Sequence, residues 1–135
     1  IPGYYPPLKS DPLRKLRGWS ELSQSLSDTM ANYPQHILLT EDRKTTASLL
    51  YGLRAQSYPI QIWDYDGQPD HHYELTAKYL PKEKDKVILA AKWETPHPIL
   101  TNFAFVKRLQ PLQVNIGKDT YRTLHLFELR NYRKD

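Results

Sequence analysis

The feature that most constrains this chain is an alternation of helix-period stripes with short apolar runs. Trp19, Leu22, Leu26, Met30 and Tyr33 fall three, four, four and three residues apart, the spacing of one face of an amphipathic helix. Pro34 should end that helix, since proline lacks the N–H that the ladder needs. His36 to Thr40 then reads as a short buried strand. Thr40 is placed to cap a second helix, with Glu41 and Asp42 in a first turn that favours anions. Ala47, Leu50, Tyr51 and Arg54 share one face of it. Pro59 opens a second strand, Ile60 to Tyr65, closed by an Asp66-Gly67 turn. His71 to Tyr79 reads as a short helix, and Val87 to Ala91 as the most strand-like buried run. Glu94 to Pro98 reads as a loop. Phe103 to Ile116 forms one or two strands interrupted near Pro111, and Gly117-Lys118-Asp119 turns the chain into a last strand, Tyr121 to Arg130. Helices and strands in this order predict an α/β fold. The expected form is a three-layer α/β/α domain with a mostly parallel sheet and an antiparallel strand pair at the C-terminal edge.

With 135 residues, the chain is long enough for one such domain and one substantial core. Residues 1–12 hold Pro2, Pro6, Pro7 and Pro12, a composition that favours an extended arm and reads as a linker leaving something upstream. Residues 13–135 read as the single soluble domain. The absence of cysteine excludes disulfide staples and thiolate chemistry. A net charge of +4 without a dense Lys/Arg stripe argues against nucleic acid. The ten tyrosines suit partly covered surfaces, because the ring is apolar and the hydroxyl wet.

Most catalytic signatures are missing. The five glycines are widely separated, whereas a phosphate-cradling loop needs them clustered so that backbone N–H groups approach the phosphate. No G-x-S-x-G elbow occurs. Asp64, Asp66 and Asp70 begin like a calcium loop, but the position that should carry a bidentate Glu is Leu75. His71 and His72 are adjacent and diverge on either a helix or a strand, so they make a poor metal pair.

Three clusters of charge beside an aromatic survive this filter. They are Arg14 with Leu16-Arg17-Gly18-Trp19, then Glu41-Asp42-Arg43 leading to Leu49-Leu50-Tyr51, then His71-His72-Tyr73-Glu74-Leu75. Such groups suit sugar and phosphate contacts or an interdomain seam. The alternative is structural: Trp19 and Tyr51 as core rings with a polar tip, and Arg43 paired with a nearby carboxylate.

In their order, the three clusters resemble the C-terminal domain of bacterial GT-C membrane glycosyltransferases, the protein O-mannosyltransferase-like group that includes the lipid A aminoarabinose transferase. Lys15-Leu16-Arg17-Gly18-Trp19 resembles the Arg-x-Arg-Gly-Trp stretch opening that domain's first helix. Asp42-Arg43 through Ala47, Leu50 and Tyr51 resembles its second, and His72-Tyr73-Glu74-Leu75 looks like its aromatic-acidic pair. Val87-Ile88-Leu89 and Leu126-Phe127-Glu128-Leu129 look like its later strands. The likeness runs from about Asp11 to Tyr132, with a departure at Thr76, where Trp is common.

The resemblance implies an extracytoplasmic accessory domain, on the periplasmic face of the bacterial inner membrane. The parent enzyme would transfer a sugar from a polyprenyl-phosphate donor to a lipid or protein acceptor. It also implies that the catalytic carboxylate, and any divalent metal, belong to the parent's membrane part. This segment would hold no catalytic residue, metal or cofactor of its own. Its partners would be the transmembrane domain of the same polypeptide, the donor through that parent, and the membrane surface. Substrate- or interface-binding roles would fall to Arg17, Trp19, Arg43, Tyr51, His72, Tyr73 and Glu74. A free-standing glycan- or phosphate-binding α/β module is the alternative reading.

Overall fold

The computed structural model describes residues 18–54, 59–63 and 76–133. The elements are α1 (Trp19–Met30), β1 (Ile37–Thr40), α2 (Arg43–Gly52), β2 (Ile60–Ile62), β3 (Thr76–Lys78), β4 (Lys86–Ala91), α3 (His97–Leu100), β5 (Phe103–Arg108), β6 (Leu112–Gly117) and β7 (Thr120–Tyr132). The fold is mixed α/β. Six strands run in the order β3-β2-β1-β4-β7-β5, and β6 pairs with the first half of β7. Three pairings are parallel, β1 with β2, β1 with β4 and β2 with β3. The three made by β7 are antiparallel. The expected mostly parallel sheet is therefore an even mixture, because the long β7 pairs on both sides.

Alternation along the strands builds two cores. Leu38, Ile60, Ile88, Ala90, Leu124 and Leu126 point to one face, with Trp19, Leu22, Leu26 and Met30 of α1 and Leu49 and Leu53 from α2 and its C-cap packed over them. We call this the helical face. Leu39, Val87, Leu89, Ala91, Phe127 and Leu129 point to the other, beside Tyr79, Ile99 and Phe103. Trp63 and Tyr132 pack on that core. Ring centroids lie 6.1 Å apart for Trp63 and Tyr79, 6.4 Å for Trp63 and Phe103, and 5.7 Å for Phe103 and Tyr132. This is the aromatic face. Among the described residues it carries no helix longer than the one-turn α3, so a second helical layer is not established there.

The segment expected to supply such a layer is different. Of the predicted helix from His71 to Tyr79, residues 71–75 lie outside the described set, and Thr76–Lys78 is a strand parallel to β2. Exposed Lys78, buried Tyr79 and exposed Leu80 alternate with the period of extended chain. From Tyr79 the chain passes over the aromatic face to reach β4. Asp85 Oδ2 holds that crossover, accepting the Tyr79 O–H at 2.9 Å and the Lys82 backbone N–H at 2.9 Å.

Helix boundaries also shift. α1 ends at Met30, four residues before Pro34, and Tyr33 follows half-buried. The cap of α2 is Asp42 rather than Thr40: its Oδ2 accepts the Thr45 N–H at 3.0 Å, while Thr40 ends β1. The Ala47, Tyr51 and Arg54 face is exposed, and the buried face is Thr45, Thr46, Ser48 and Leu49. Small side chains let α2 lie close, and the Thr46 hydroxyl, bonded to the Asp42 carbonyl and to Thr40 Oγ1, buries without loss. Gly52 carries this closeness furthest, because an added Cβ would collide with the Ser23 Oγ and lie 2.7 Å from the Ser23 Cβ. His97–Leu100 forms α3 where a loop was expected up to Pro98.

The C-terminal half matches expectation more closely. β5 pairs with Phe127 to Tyr132 and β6 with Thr120 to Leu124. The register slips by one residue between them, around Pro111, so the two behave as one interrupted strand. Asp119 has φ 54, which closes the tight turn between β6 and β7.

Candidate functional site

Open α/β sheets place ligands beyond the carboxyl ends of their parallel strands. At that edge Thr40 Oγ1 meets Thr46 Oγ1 at 2.6 Å, and Thr46 Oγ1 donates to the Asp42 carbonyl at 2.6 Å. The Trp63 N–H donates to the Thr40 carbonyl at 2.8 Å. These bonds close on one another and rigidify the β1–α2 junction. The Asp42 carboxylate occupies the start of α2, where a free helix N-terminus would attract an anion, and so opposes one. Past β4, Trp93 is 57% exposed with Lys92 Nζ 4.9 Å from its ring centroid. Among the described residues, that pair is exposed past the carboxyl end of β4.

The residues named from sequence are dispersed. Trp19 is buried beneath the Arg122 guanidinium, 5.1 Å from its ring centroid. Gly18 precedes it at φ 81, where an added Cβ would lie 2.6 Å from Ile116 Cγ2 and 2.7 Å from Val114 Cγ1. The Gly18-Trp19 pair thus seats the start of α1 against β6: glycine for the left-handed backbone and the close approach, tryptophan for the buried area. Arg43 opens α2, exposed at its surface. Tyr51 lies on the outer side of α2, 47% exposed, with the Arg54 guanidinium 4.1 Å from its ring centroid. Arg17, His72, Tyr73 and Glu74 lie outside the described residues. Trp19, Arg43 and Tyr51 share no hydrogen bond or ring contact with one another.

A buried carboxylate tied into a charged cluster was not singled out from sequence. Glu128 of β7, 3% exposed, faces the helical side at the amino end of β4. His36 Nε2–H donates to Glu128 Oε2 at 2.8 Å. Arg130 donates to the same oxygen from Nε at 3.0 Å and from a terminal nitrogen at 2.7 Å. Burial by itself pushes the Glu128 carboxyl up, and the bonds and charges of Arg130 and His36 outweigh it, so the group lies below its ordinary value. The Tyr33 ring meets the imidazole edge-on at a centroid distance of 4.9 Å. His36 Nδ1 is buried, so neither ring nitrogen offers a proton to a substrate. The cluster ties the start of β1 to the end of β7, a strut rather than an acid–base pair. A histidine and a glutamate 92 residues apart leave no spacing signal by which sequence could join them.

A second perturbed group holds the aromatic face. Burial pushes the Tyr79 phenol well up, and its bond to Asp85, the Asp85 charge and Tyr132 add to this, so it stays a hydrogen-bond donor. Beside it, a shallow cavity of about 280 Å³ is lined by Ile37, Gln61, Lys78, Leu80, Lys82 and Asp85. Among the described residues no three His, Cys, Asp or Glu side chains converge on one point, and no helix is long and apolar enough to cross a membrane.

No family model matches the chain, and neither characterised proteins nor solved structures return a match.

Proposed function

We propose that this chain is an extracytoplasmic accessory domain of a polytopic membrane glycosyltransferase. In this reading the parent moves a sugar from a polyprenyl-phosphate donor to a lipid or protein acceptor. The domain caps the membrane cavity from the periplasmic side and performs no chemistry itself. The observation that carries the reading is the ordered appearance of the three charge–aromatic clusters between Asp11 and Leu75. Their geometry is compatible with a scaffold: Gly18 and Trp19 seat α1, and Asp42 caps α2. A three-layer α/β/α arrangement belongs to the same proposal, as do the parent's transmembrane domain as partner and the parent's membrane part as the place of any divalent metal.

The coding sequence ahead of Ile1 tests it most cheaply. Several apolar segments of about twenty residues should precede the proline arm, and fewer would remove the idea. The purified chain should show no sugar transfer from a polyprenyl-phosphate donor.

A free-standing glycan- or phosphate-binding module is the second reading, favoured by the exposed Trp93 with Lys92 beside it. Calorimetric titration with glycans and phosphorylated lipids separates the two. Saturable binding abolished by Trp93→Ala supports the module.

A further inference from the structure

We infer that a cationic patch at one end of the helical face, with Lys86, Lys107 and Arg130 exposed to solvent, is a docking surface for an anionic lipid bilayer. The register of three adjacent strands assembles it. In one row Lys86 of β4, Arg130 of β7 and Phe105 of β5 lie side by side; in the next come Ile88, Glu128 and Lys107. Ile88 belongs to the helical-face core, and strand alternation puts Lys86 on its side of the sheet. Leu109 packs on that same core, which places Lys107 there too. Neighbouring strands are about 4.8 Å apart, so the three cations fall within one headgroup-sized patch. Lys86 and Lys107 are exposed, Phe105 is 38% exposed, and the Arg130 side chain is 43% exposed.

Folding alone does not account for this charge. Glu128 is the one carboxylate in the two rows, and Arg130 and His36 already engage it. Lys86 stands directly across from Arg130, a like-charge pairing that destabilises a sheet. Neither Lys86 nor Lys107 forms an ion pair among the described residues. Three cations against one buried carboxylate leave an excess facing outward, and phosphate headgroups supply the complementary charge. The Arg130 guanidinium lies 5.1 Å from the Phe105 ring centroid. A ring with a cation above it suits the headgroup boundary, where apolar surface enters the lipid and charge stays at the phosphates. The inference rests on the proposed function only in taking a bilayer to lie beside the domain.

Co-sedimentation of the 135-residue chain with vesicles tests it. Binding is expected to phosphatidylglycerol-containing vesicles and not to pure phosphatidylcholine, weakening as salt is raised. Each cation near an anionic surface is worth about fivefold in partitioning. The double variant Lys86→Gln/Lys107→Gln should therefore weaken binding by roughly 25-fold, while Lys86→Arg/Lys107→Arg preserves it. Lys44→Gln/Lys118→Gln removes equal charge from exposed positions on α2 and the β6–β7 turn, and should leave partitioning within about twofold. Three results would overturn the inference: no binding to anionic vesicles, equal loss in the two Gln pairs, or displacement from vesicles by duplex DNA with equal affinity. Upstream sequence without membrane helices would remove the proposed function and leave these partition values standing. Absent vesicle binding would do the reverse.

Discussion

On one face of the sheet Leu38, Ile60, Ile88 and Leu126 lie beneath two helices. On the other, Leu39, Val87, Leu89 and Phe127 lie beneath a one-turn helix, a short crossover and the rings of Trp63, Tyr79, Phe103 and Tyr132. Both sets are almost fully excluded from water, so both faces bury comparable side chains by different means. A helical layer is cooperative and local: its own ladder satisfies the backbone, and the apolar stripe follows from the 3.6-residue repeat. An aromatic layer is assembled from four separate stretches of chain. Each ring contributes large area at low conformational cost, but nothing local holds the rings together. The Tyr79–Asp85–Lys82 hydrogen bonds perform that task for the crossover.

The comparison breaks most visibly in the cores. Phe127→Ala on the aromatic face should cost about 4 kcal/mol and Leu26→Ala on the helical face about 3 kcal/mol, measured by urea unfolding. A cost below about 1 kcal/mol for Phe127→Ala, with Leu26→Ala still severe, would mean that the aromatic face is not a second core.

Next in size is the strut beside the helical face. Glu128→Gln should destabilise by about 2 kcal/mol at neutral pH, the scale of hydrogen bonds to a charged group. Because the folded carboxyl lies below its ordinary value, its stabilisation is complete above about pH 4.3 and is lost as pH falls through the lowered folded value. Wild type and variant should therefore converge in acid. Parallel stability curves down to low pH would show that the carboxylate contributes nothing through its charge.

The smallest effect sharpens the account of the crossover. Tyr79→Phe keeps the ring and removes only the O–H bond to Asp85, so about 1 kcal/mol is expected, with faster hydrogen exchange at the Lys82 amide. Unchanged exchange there would assign the crossover's order to ring packing alone.

The elements legible in the sequence are those whose signal is local. The buried positions Trp19, Leu22, Leu26 and Met30 of α1, the run Val87 to Ala91, and the pairing of β6 with β7 across Lys118-Asp119 all follow from spacing or turn chemistry. β3 was misread because three residues are too few to display a period, and the alternation around Tyr79 becomes meaningful only beside β2. The buried face of α2 was misread because Thr45, Thr46 and Ser48 are polar in composition; in place, the Thr46 hydroxyl is satisfied by the Asp42 carbonyl and Thr40 Oγ1. Of the residues expected to bind, Trp19 proves to be a packed ring, while Arg43 and Tyr51 lie on the surface of α2.

The sequence by itself determined the mixed α/β class, the first helix, the central strand and the terminal hairpin, since each depends on neighbours within a few residues. Tertiary structure alone decided that β7 would pair on both sides, that aromatic rings would cover the second face, and that Glu128 would meet His36. It also decided that Lys86, Arg130 and Lys107 would gather on one surface. The physical reason is strand register: a shift of one residue turns every side chain to the opposite face, and register is settled by contacts between stretches far apart in the chain.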